Sequence, residues 1–289
     1  MTLFLITLLN GLTLAGLYFL VASGFSLVFG LMRNINLAHG SLYLLGGYVG
    51  FSTYDTFDSW ELAVLAGFSS MAVMGVLLQL LIFRFMEGQE LRQTLVTIAI
   101  SIIAADLMLA YWGAVAYQFT VPDWLFGATQ IPGVGFFYPT YRLFVLAAAV
   151  VIGIALWLFL NKTRMGLTIR AGVDDKGMLA ASGVNVQLVF CVTFAIGAGL
   201  AGLAGVLGGT YLSLSPGEDM RFLLASLIVV IVGGMGSITG AAIGALLIGL
   251  TEQFGLAYSP TYAPVYTLLI MVIVLAVRPQ GIMGKAAQS

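Results

Sequence analysis

Residues 163–185 read TRMGLTIRAGVDDKGMLAASGVN, a polar segment that separates two strongly apolar parts of the chain. The whole sequence has only 11 Lys and Arg and 12 Asp and Glu residues, and this segment holds five of them: Arg164, Arg170, Asp174, Asp175 and Lys176. One charge at the centre of a bilayer costs roughly 2.5–3.5 kcal/mol on insertion scales. We therefore expect the segment to lie in water, on one side of a membrane.

The composition around this segment is that of a polytopic α-helical membrane protein. Of 289 residues, 61% are hydrophobic and 8% are charged, and the mean hydropathy is +1.07. A soluble domain is about 25% charged. Apolar runs of about 18 residues or more favour helices over barrel strands, which need only about ten residues. The net charge of −1 gives no support for nucleic acid binding. We expect an all-α fold in a single transmembrane domain spanning residues 1–289.

The apolar runs predict about eight or nine transmembrane helices. They lie near residues 3–31, 37–54, 61–83, 94–116, 142–161, 187–212, 222–236, 238–257 and 263–277. The runs at 222–236 and 238–257 are short and are joined by glycines. They form either two crossings or one broken, re-entrant pair.

Basic residues are distributed unevenly between the two sides that nine alternating crossings define. Only Arg142 and Arg221 fall on one side, and the others share the side that holds residues 163–185: Arg33, Arg84, Arg92, Lys162, Arg164, Arg170, Lys176, Arg278 and Lys285. Because Lys and Arg concentrate in cytoplasmic loops, this side is predicted to be cytoplasmic. Glu252 then lies near the outer end of its crossing, where we expect it to be exposed at the interface.

Two sequence patterns concern how the helices pack. Gly236, Gly240 and Gly244 are spaced by four, which predicts close helix–helix contact in a membrane. Residues 19–23 (FLVAS) also match residues 222–226 (FLLAS), with a Gly and a Met following each at the same distance. Duplication and chance both explain such a match in a chain rich in Leu, Ala and Gly.

Four polar residues are candidates for a translocation pathway. Asn36, His39 and Ser41 cluster where the second crossing begins. They either cap the helix and hydrogen-bond internally or line the cytoplasmic mouth of a pathway. Asp106 lies within the fourth crossing, and an intramembrane carboxylate marks a pathway or a paired site by default. The alternative is that Asp106 lies near the outer surface.

The sequence lacks the side chains that most enzyme and metal sites need. His39 and Cys191 are its only histidine and cysteine, which leaves no His/Cys metal cluster. It contains no Walker A, HExxH or GxSxG motif. We therefore expect no catalytic residues, metal or cofactor, and any ATP hydrolysis that drives the protein must occur on a partner chain.

Four motifs occur in a recognisable order along the chain. They are Asn36-Leu37-Ala38-His39-Gly40-Ser41, the polar segment, Gly233-Gly234-Met235-Gly236-Ser237, and Arg278-Pro279-Gln280-Gly281-Ile282-Met283-Gly284. Together they resemble the branched-chain amino-acid permeases of ABC importers. Leu37 stands where the family's Asn-Phe-Ala-His-Gly signature has Phe. Within the polar segment the match is carried by Arg164, Met165, Gly166, Ile169, Arg170, Ala171, Asp175, Gly183, Val184 and Asn185.

The resemblance implies the ABC-importer permease fold and a role for residues 163–185 as a coupling segment. In such importers a short cytoplasmic helix docks in a groove on an ATPase subunit, here expected within residues 174–181. Gly166 and Gly183 are expected to turn the backbone at its two ends. The coupling residues that the resemblance implies are Arg164, Gly166, Arg170, Ala171, Asp174, Asp175, Gly183 and Asn185.

The resemblance also implies a function. The expected activity is ATP-driven import of branched-chain amino acids, or of a related small solute such as urea or an amide, across the bacterial inner (cytoplasmic) membrane. The expected partners are a second homologous permease, two ABC ATPases, an extracytoplasmic solute-binding protein and membrane lipid. The alternative is a stand-alone, ion-coupled secondary transporter, which would need intramembrane carboxylates such as Asp106.

Overall fold

Within residues 2–32, 35–130 and 137–284, which a computed structural model describes except for the Lys176 side chain, the chain forms eleven α-helices. They are α1 (Thr2–Met32), α2 (His39–Phe57), α3 (Trp60–Leu81), α4 (Glu90–Trp112), α5 (Thr140–Lys162), α6 (Arg164–Asp174), α7 (Lys176–Ala181), α8 (Val186–Tyr211), α9 (Glu218–Gly233), α10 (Ile238–Tyr258) and α11 (Ala263–Val277). A short antiparallel hairpin, β1 (Ala128–Gln130) and β2 (Phe137–Pro139), precedes α5.

The helices confirm the predicted all-α polytopic fold. Each of the nine predicted crossings coincides with one long helix, α1 to α5 and α8 to α11. In the described ranges, seven helices are long and apolar enough to cross a membrane, and α2 and α9 are not among them. The crossing predicted at 94–116 begins and ends four residues earlier, as α4. It ends there because Gly113, with φ +77°, terminates the helix.

Residues 222–257 form two antiparallel helices, α9 and α10, joined by the turn 234–237. With 16 residues, α9 rises roughly 24 Å, which is less than the hydrocarbon thickness of about 30 Å. Gly240 and Gly244 of α10 face the α9 backbone, and a Cβ on Gly244 would lie 3.1 Å from the Gly233 nitrogen. Gly236 lies in the turn itself with φ +79° and approaches α1.

Helix α1 is the centre of the bundle and packs against α5, α8, α9 and α10. Small residues allow these contacts. A Cβ on Gly249 of α10 would lie 2.7 Å from the Ala15 Cα of α1. A Cβ on Gly75 of α3 would lie 2.5 Å from the Phe194 carbonyl oxygen of α8. In lipid, close packing of this kind replaces burial from water as the force that joins helices.

The C-terminal motif caps helix α9. The backbone N–H groups of Ile282 and Met283 donate to the carbonyls of Val232 and Gly233, at 2.9 and 2.8 Å. These carbonyls belong to the last turn of α9, where intrahelical partners run out. The chain reverses there because Gly281 adopts φ +80°.

The two matching pentapeptides adopt the same local geometry. Ser23 in α1 and Ser226 in α9 are both buried, and each hydroxyl donates to the carbonyl three residues earlier, at 2.9 and 2.8 Å.

Candidate functional site

The polar segment 163–185 folds into two short helices rather than one. Three of its polar side chains cap helices: Thr163 caps α6, Asp175 caps α7 and Asn185 caps α8. Each accepts a hydrogen bond from the backbone N–H three residues later, at 3.0, 3.0 and 3.1 Å. Caps of this kind stabilise a helix by about 1 kcal/mol. The break at Asp175, where φ is −152°, separates α6 from α7.

The two glycines of the segment serve different purposes. Gly183 follows α7 with φ +78° and turns the backbone there, as expected. The expectation that Gly166 also turns the backbone is wrong, because it lies within the first turn of α6. Its lack of a side chain matters for packing, since a Cβ would lie 2.5 Å from the Leu160 Cα of α5. Gly166 thus allows α6 to fold back against the end of α5.

One face of this helix pair is anchored and the other is exposed. Ile169 is 1% exposed, whereas Leu167 of α6 and Met178 of α7 are 50% and 71% exposed. The Arg170 guanidinium donates to the Asn161 side-chain oxygen at the end of α5. All the predicted coupling residues are exposed except Gly166, namely Arg164, Arg170, Ala171, Asp174, Asp175, Gly183 and Asn185.

Helix α6 also contacts the ends of two other elements. A Cβ on Gly30 of α1 would lie 3.4 Å from a Val173 methyl group of α6 and 3.2 Å from the Gly236 Cα of the α9–α10 turn. Beside this contact, a polar pocket of about 450 Å³ is lined by residues that include Met32, Glu90 and residues 174–175. The segment is therefore packed directly on the bundle.

Asn36 and His39 make internal hydrogen bonds at the start of α2. The Asn36 side-chain oxygen accepts from the Ala38 N–H at 3.1 Å. His39 is 1% exposed, and its Nε2 lies 3.0 Å from the Val21 carbonyl oxygen of α1. Its ring also meets that of Phe25 edge-on, with centroids 5.4 Å apart. The structure places both side chains between helices.

Ser41 belongs to a polar seam between α2 and α4. Hydrogen bonds join three pairs of residues that are each 60 positions apart, which means that the two helices run parallel in a constant register. They join the Leu37 N–H to Thr97 at 3.2 Å, Ser41 to Ser101 at 3.0 Å and Trp112 to Ser52 at 3.0 Å. Hydrogen bonds between membrane helices contribute about 0.6 kcal/mol each.

An apolar groove of about 440 Å³ opens beside this seam, between α2, α3 and α4. Its lining includes Leu42, Met74 and Ile100, with Ser41 at its polar edge. Asp106 does not line the groove. It lies on the exposed face of α4 beside Ile102 and Leu109, which are 58% and 45% exposed. Among the described residues, no hydrogen bond or ion pair to its carboxylate is present.

A charged network at the end of the bundle away from the polar segment was not anticipated from the sequence. The Tyr18 hydroxyl of α1 donates to Glu252 of α10 at 2.6 Å. Arg221 of α9 contacts Glu252 at 3.4 Å and Glu218 at 3.3 Å. Next to Arg221 in the sequence, the Phe222 ring stacks on the Tyr43 ring of α2, with centroids 4.0 Å apart. The expectation that exposure explains Glu252 is incomplete, because its side chain is 20% exposed and paired.

Comparisons with known proteins identify the family. A family model described as branched-chain amino acid transport system / permease component matches residues 7–277. The chain belongs to this family. It is similar to the high-affinity branched-chain amino acid transport system permease protein BraD of Pseudomonas aeruginosa, with 31% identity over 96% of this chain and 95% of the relative. It is also similar to LivH of Escherichia coli (strain K12), a permease protein of the same description, with 30% identity over 98% and 96%.

A more distant relative of this permease is the ribose import permease protein RbsC of Escherichia coli (strain K12), with 27% identity over 81% of this chain and 73% of the relative. No solved structure matches the chain. Family membership and the seven membrane-capable helices make the permease a multi-pass inner-membrane protein. The predicted resemblance is thereby confirmed.

Proposed function

We propose that this permease is a subunit of an ATP-driven ABC importer for branched-chain amino acids or a related small solute such as urea or an amide. It would work with a second homologous permease, two ATPase subunits that hydrolyse ATP, and an extracytoplasmic solute-binding protein. The names of the two nearly full-length relatives support the amino-acid substrate. The ribose permease extends the range of solutes that related chains carry.

The observation that carries this proposal is the α6–α7 pair. Leu167 and Met178 are apolar side chains that are at least half exposed among charged residues. Their transfer from water into a protein groove is favourable by about 25 cal/mol for each Å² buried. The charges around them, including Arg164 and Asp174, suit charge-assisted contacts at the rim of such a groove. This pattern fits docking of the pair on an ATPase subunit.

The contacts of α6 supply a route by which such docking moves the bundle. Val173, Gly30 and Gly236 form a continuous line from α6 through α1 to the α9–α10 turn. Tight packing transmits displacement because protein interiors are barely compressible. A shift of α6 would therefore displace the cytoplasmic ends of α1, α9 and α10 together.

The pathway itself is proposed to run along the exposed face of α4. Asp106 lies there among apolar side chains, and a carboxylate that faces lipid is costly. A second permease subunit or an aqueous path beside α4 would remove that cost. Ser41 borders the groove on the other side of α4, and Asn36 and His39 hold the start of α2 in place.

Reconstitution in proteoliposomes tests the proposal. The permease, its partner permease, both ATPases and the binding protein are assembled, and uptake of labelled leucine, isoleucine, valine and urea is measured with and without ATP. We expect uptake of at least one of these solutes that depends on ATP and on the binding protein. The control replaces the ATPases with variants that cannot hydrolyse ATP. ATP-independent uptake by the permease alone would contradict the proposal and favour a secondary transporter.

A further inference from the structure

The charged network at the outer end of the bundle has a position that suits a solute entering from outside. Glu252 lies six residues before the end of α10, which places it roughly 9 Å below that helix end. Arg221 is on the first turns of the short helix α9, and its side chain is 42% exposed. The network is therefore recessed within the bundle and still accessible.

The network holds one positive and two negative charges. One guanidinium faces the two carboxylates of Glu218 and Glu252. The Arg221 contacts, at 3.3 and 3.4 Å, exceed the distances of about 2.7–2.9 Å that are usual between charged groups. Glu252 is fixed by the 2.6 Å hydrogen bond from the buried Tyr18. The network thus combines a carboxylate fixed by Tyr18 with a guanidinium that pairs with two glutamates and is 42% exposed.

An exposed apolar surface continues below the charges on the same helix face. Leu224 follows Arg221 by three residues, so the two side chains are neighbours on α9. Leu224 is 50% exposed. An arginine and carboxylates above an exposed leucine match the two ends of an apolar α-amino acid, which carries a carboxylate and an ammonium on one carbon and a hydrocarbon side chain.

We propose that Arg221, Glu218 and Glu252 bind the charged end of a free zwitterionic α-amino acid, with its apolar side chain against Leu224. The ligand carboxylate accepts two N–H groups of the guanidinium, and the ligand ammonium donates to the two glutamates. Pairing both charges lowers the cost of taking a zwitterion out of water at this end of the bundle. The inference rests on the proposed function and adds the recognition of the solute by the permease itself.

Direct binding tests the inference in the assembled transporter. The permease is purified with its partner permease and hydrolysis-deficient ATPases, without the binding protein, and binding of labelled L-leucine is measured by equilibrium dialysis. Leucinamide, which lacks the carboxylate, and 4-methylpentanoate, which lacks the ammonium, are the competitors. We expect each to bind about tenfold or more weakly than leucine, because each leaves a charged hydrogen-bonding group unpaired.

Variants assign these preferences to residues. Arg221→Gln is expected to weaken leucine binding about tenfold and to remove the preference over leucinamide. Glu252→Gln is expected to remove the preference over 4-methylpentanoate. Arg142→Gln is the matched control, because Arg142 also lies at the outer end but binds Asn10. Co-purification of the ATPases and thermal unfolding report whether each variant is assembled. If Arg221→Gln does not assemble, leucine binding by Arg221→Lys and the competition measured on the unmodified complex still test the inference.

The outcomes separate this inference from the proposed function. Equal competition by leucine and both analogues, the absence of leucine binding, or unchanged binding by an assembled Arg221→Gln variant would overturn the inference. The same holds if, in complexes with active ATPases and the binding protein, Arg221→Gln lowers only the stimulation of ATPase activity by the binding protein, which would indicate a docking role. A wild-type transporter that takes up leucine while failing these tests leaves the proposed function intact. One that binds leucine but shows no ATP-dependent uptake contradicts the proposed function instead.

Discussion

Gly30 in α1 and Gly236 in the α9–α10 turn face each other so closely that a Cβ on Gly30 would lie 3.2 Å from the Gly236 Cα, and a Cβ on Gly236 would lie 3.3 Å from the Gly30 Cα. Val173 of α6 packs on the same side of Gly30. The polar segment, the central helix and the α9–α10 turn therefore meet at one point. This contact gives the coupling proposal a position at which it can be tested.

Gly30→Leu is expected to lower the solute transported per ATP hydrolysed by several-fold. The added side chain must push α1 away from the turn, and overpacking of this kind costs about 1–3 kcal/mol. Uptake and ATP hydrolysis are measured together in proteoliposomes. Phe29→Leu, one position earlier on α1, is the control. An unchanged ratio in an assembled Gly30→Leu transporter would show that this contact does not carry the motion.

Arg170→Glu is expected to uncouple transport from ATP hydrolysis while the permease still inserts. The change reverses a charge on the exposed face of α6 and removes the hydrogen bond to Asn161. Binding of the ATPases is measured by co-purification, and uptake by labelled solute. Arg92→Glu is the matched control, because Arg92 lies at the same end of the bundle but bonds to Gln89 beside its own helix. Normal ATP-driven uptake by Arg170→Glu would contradict a coupling role.

Asp106→Asn is expected to reduce the maximal uptake rate without loss of assembly. The substitution preserves size and removes the charge from the exposed face of α4, where the carboxylate is proposed to border the pathway. Initial rates are measured over a range of solute concentrations. Asp55→Asn, at the outer end of α2, serves as the comparison. Identical kinetics for wild type and Asp106→Asn would exclude a role for this charge in transport.

Ser41→Ala and Ser101→Ala are each expected to destabilise the permease by about 0.6 kcal/mol, and the double variant by no more than either single one. The reason is that both remove the same 3.0 Å hydrogen bond. Unfolding by SDS in mixed micelles gives the four free energies of this double-mutant cycle. Fully additive effects would show that the two hydroxyls do not interact.

Much of the architecture was predictable because hydropathy and helix capping are local properties. Nine apolar runs coincide with nine long helices, since a backbone in lipid must satisfy its own hydrogen bonds within a helix. The polar character of residues 163–185 likewise predicted that they would not form a crossing. Even the end of α7 followed from the sequence, because Gly183 adopts the positive φ that glycine tolerates best.

The relative placement of the helices could not be predicted, because it depends on side-chain packing between distant segments. Nothing in the spacing of Tyr18, Arg221 and Glu252 indicated that they would meet. The sequence identified Asp106 as a carboxylate within a predicted crossing. Whether its side of α4 is exposed depends on where α2 and α3 pack.

The sequence by itself determined that this protein is a polytopic helical membrane protein in which residues 163–185 form no crossing, because the transfer of charge and apolar surface depends on residue type. The order of its four motifs indicated the permease family. The tertiary structure decided that this segment breaks at Asp175 into two helices, that its Gly166 serves packing rather than turning, and that the C-terminal motif caps α9. It also brought Arg221 between two glutamates. Each of these depends on which backbone or side chain lies opposite, and only the folded bundle specifies that.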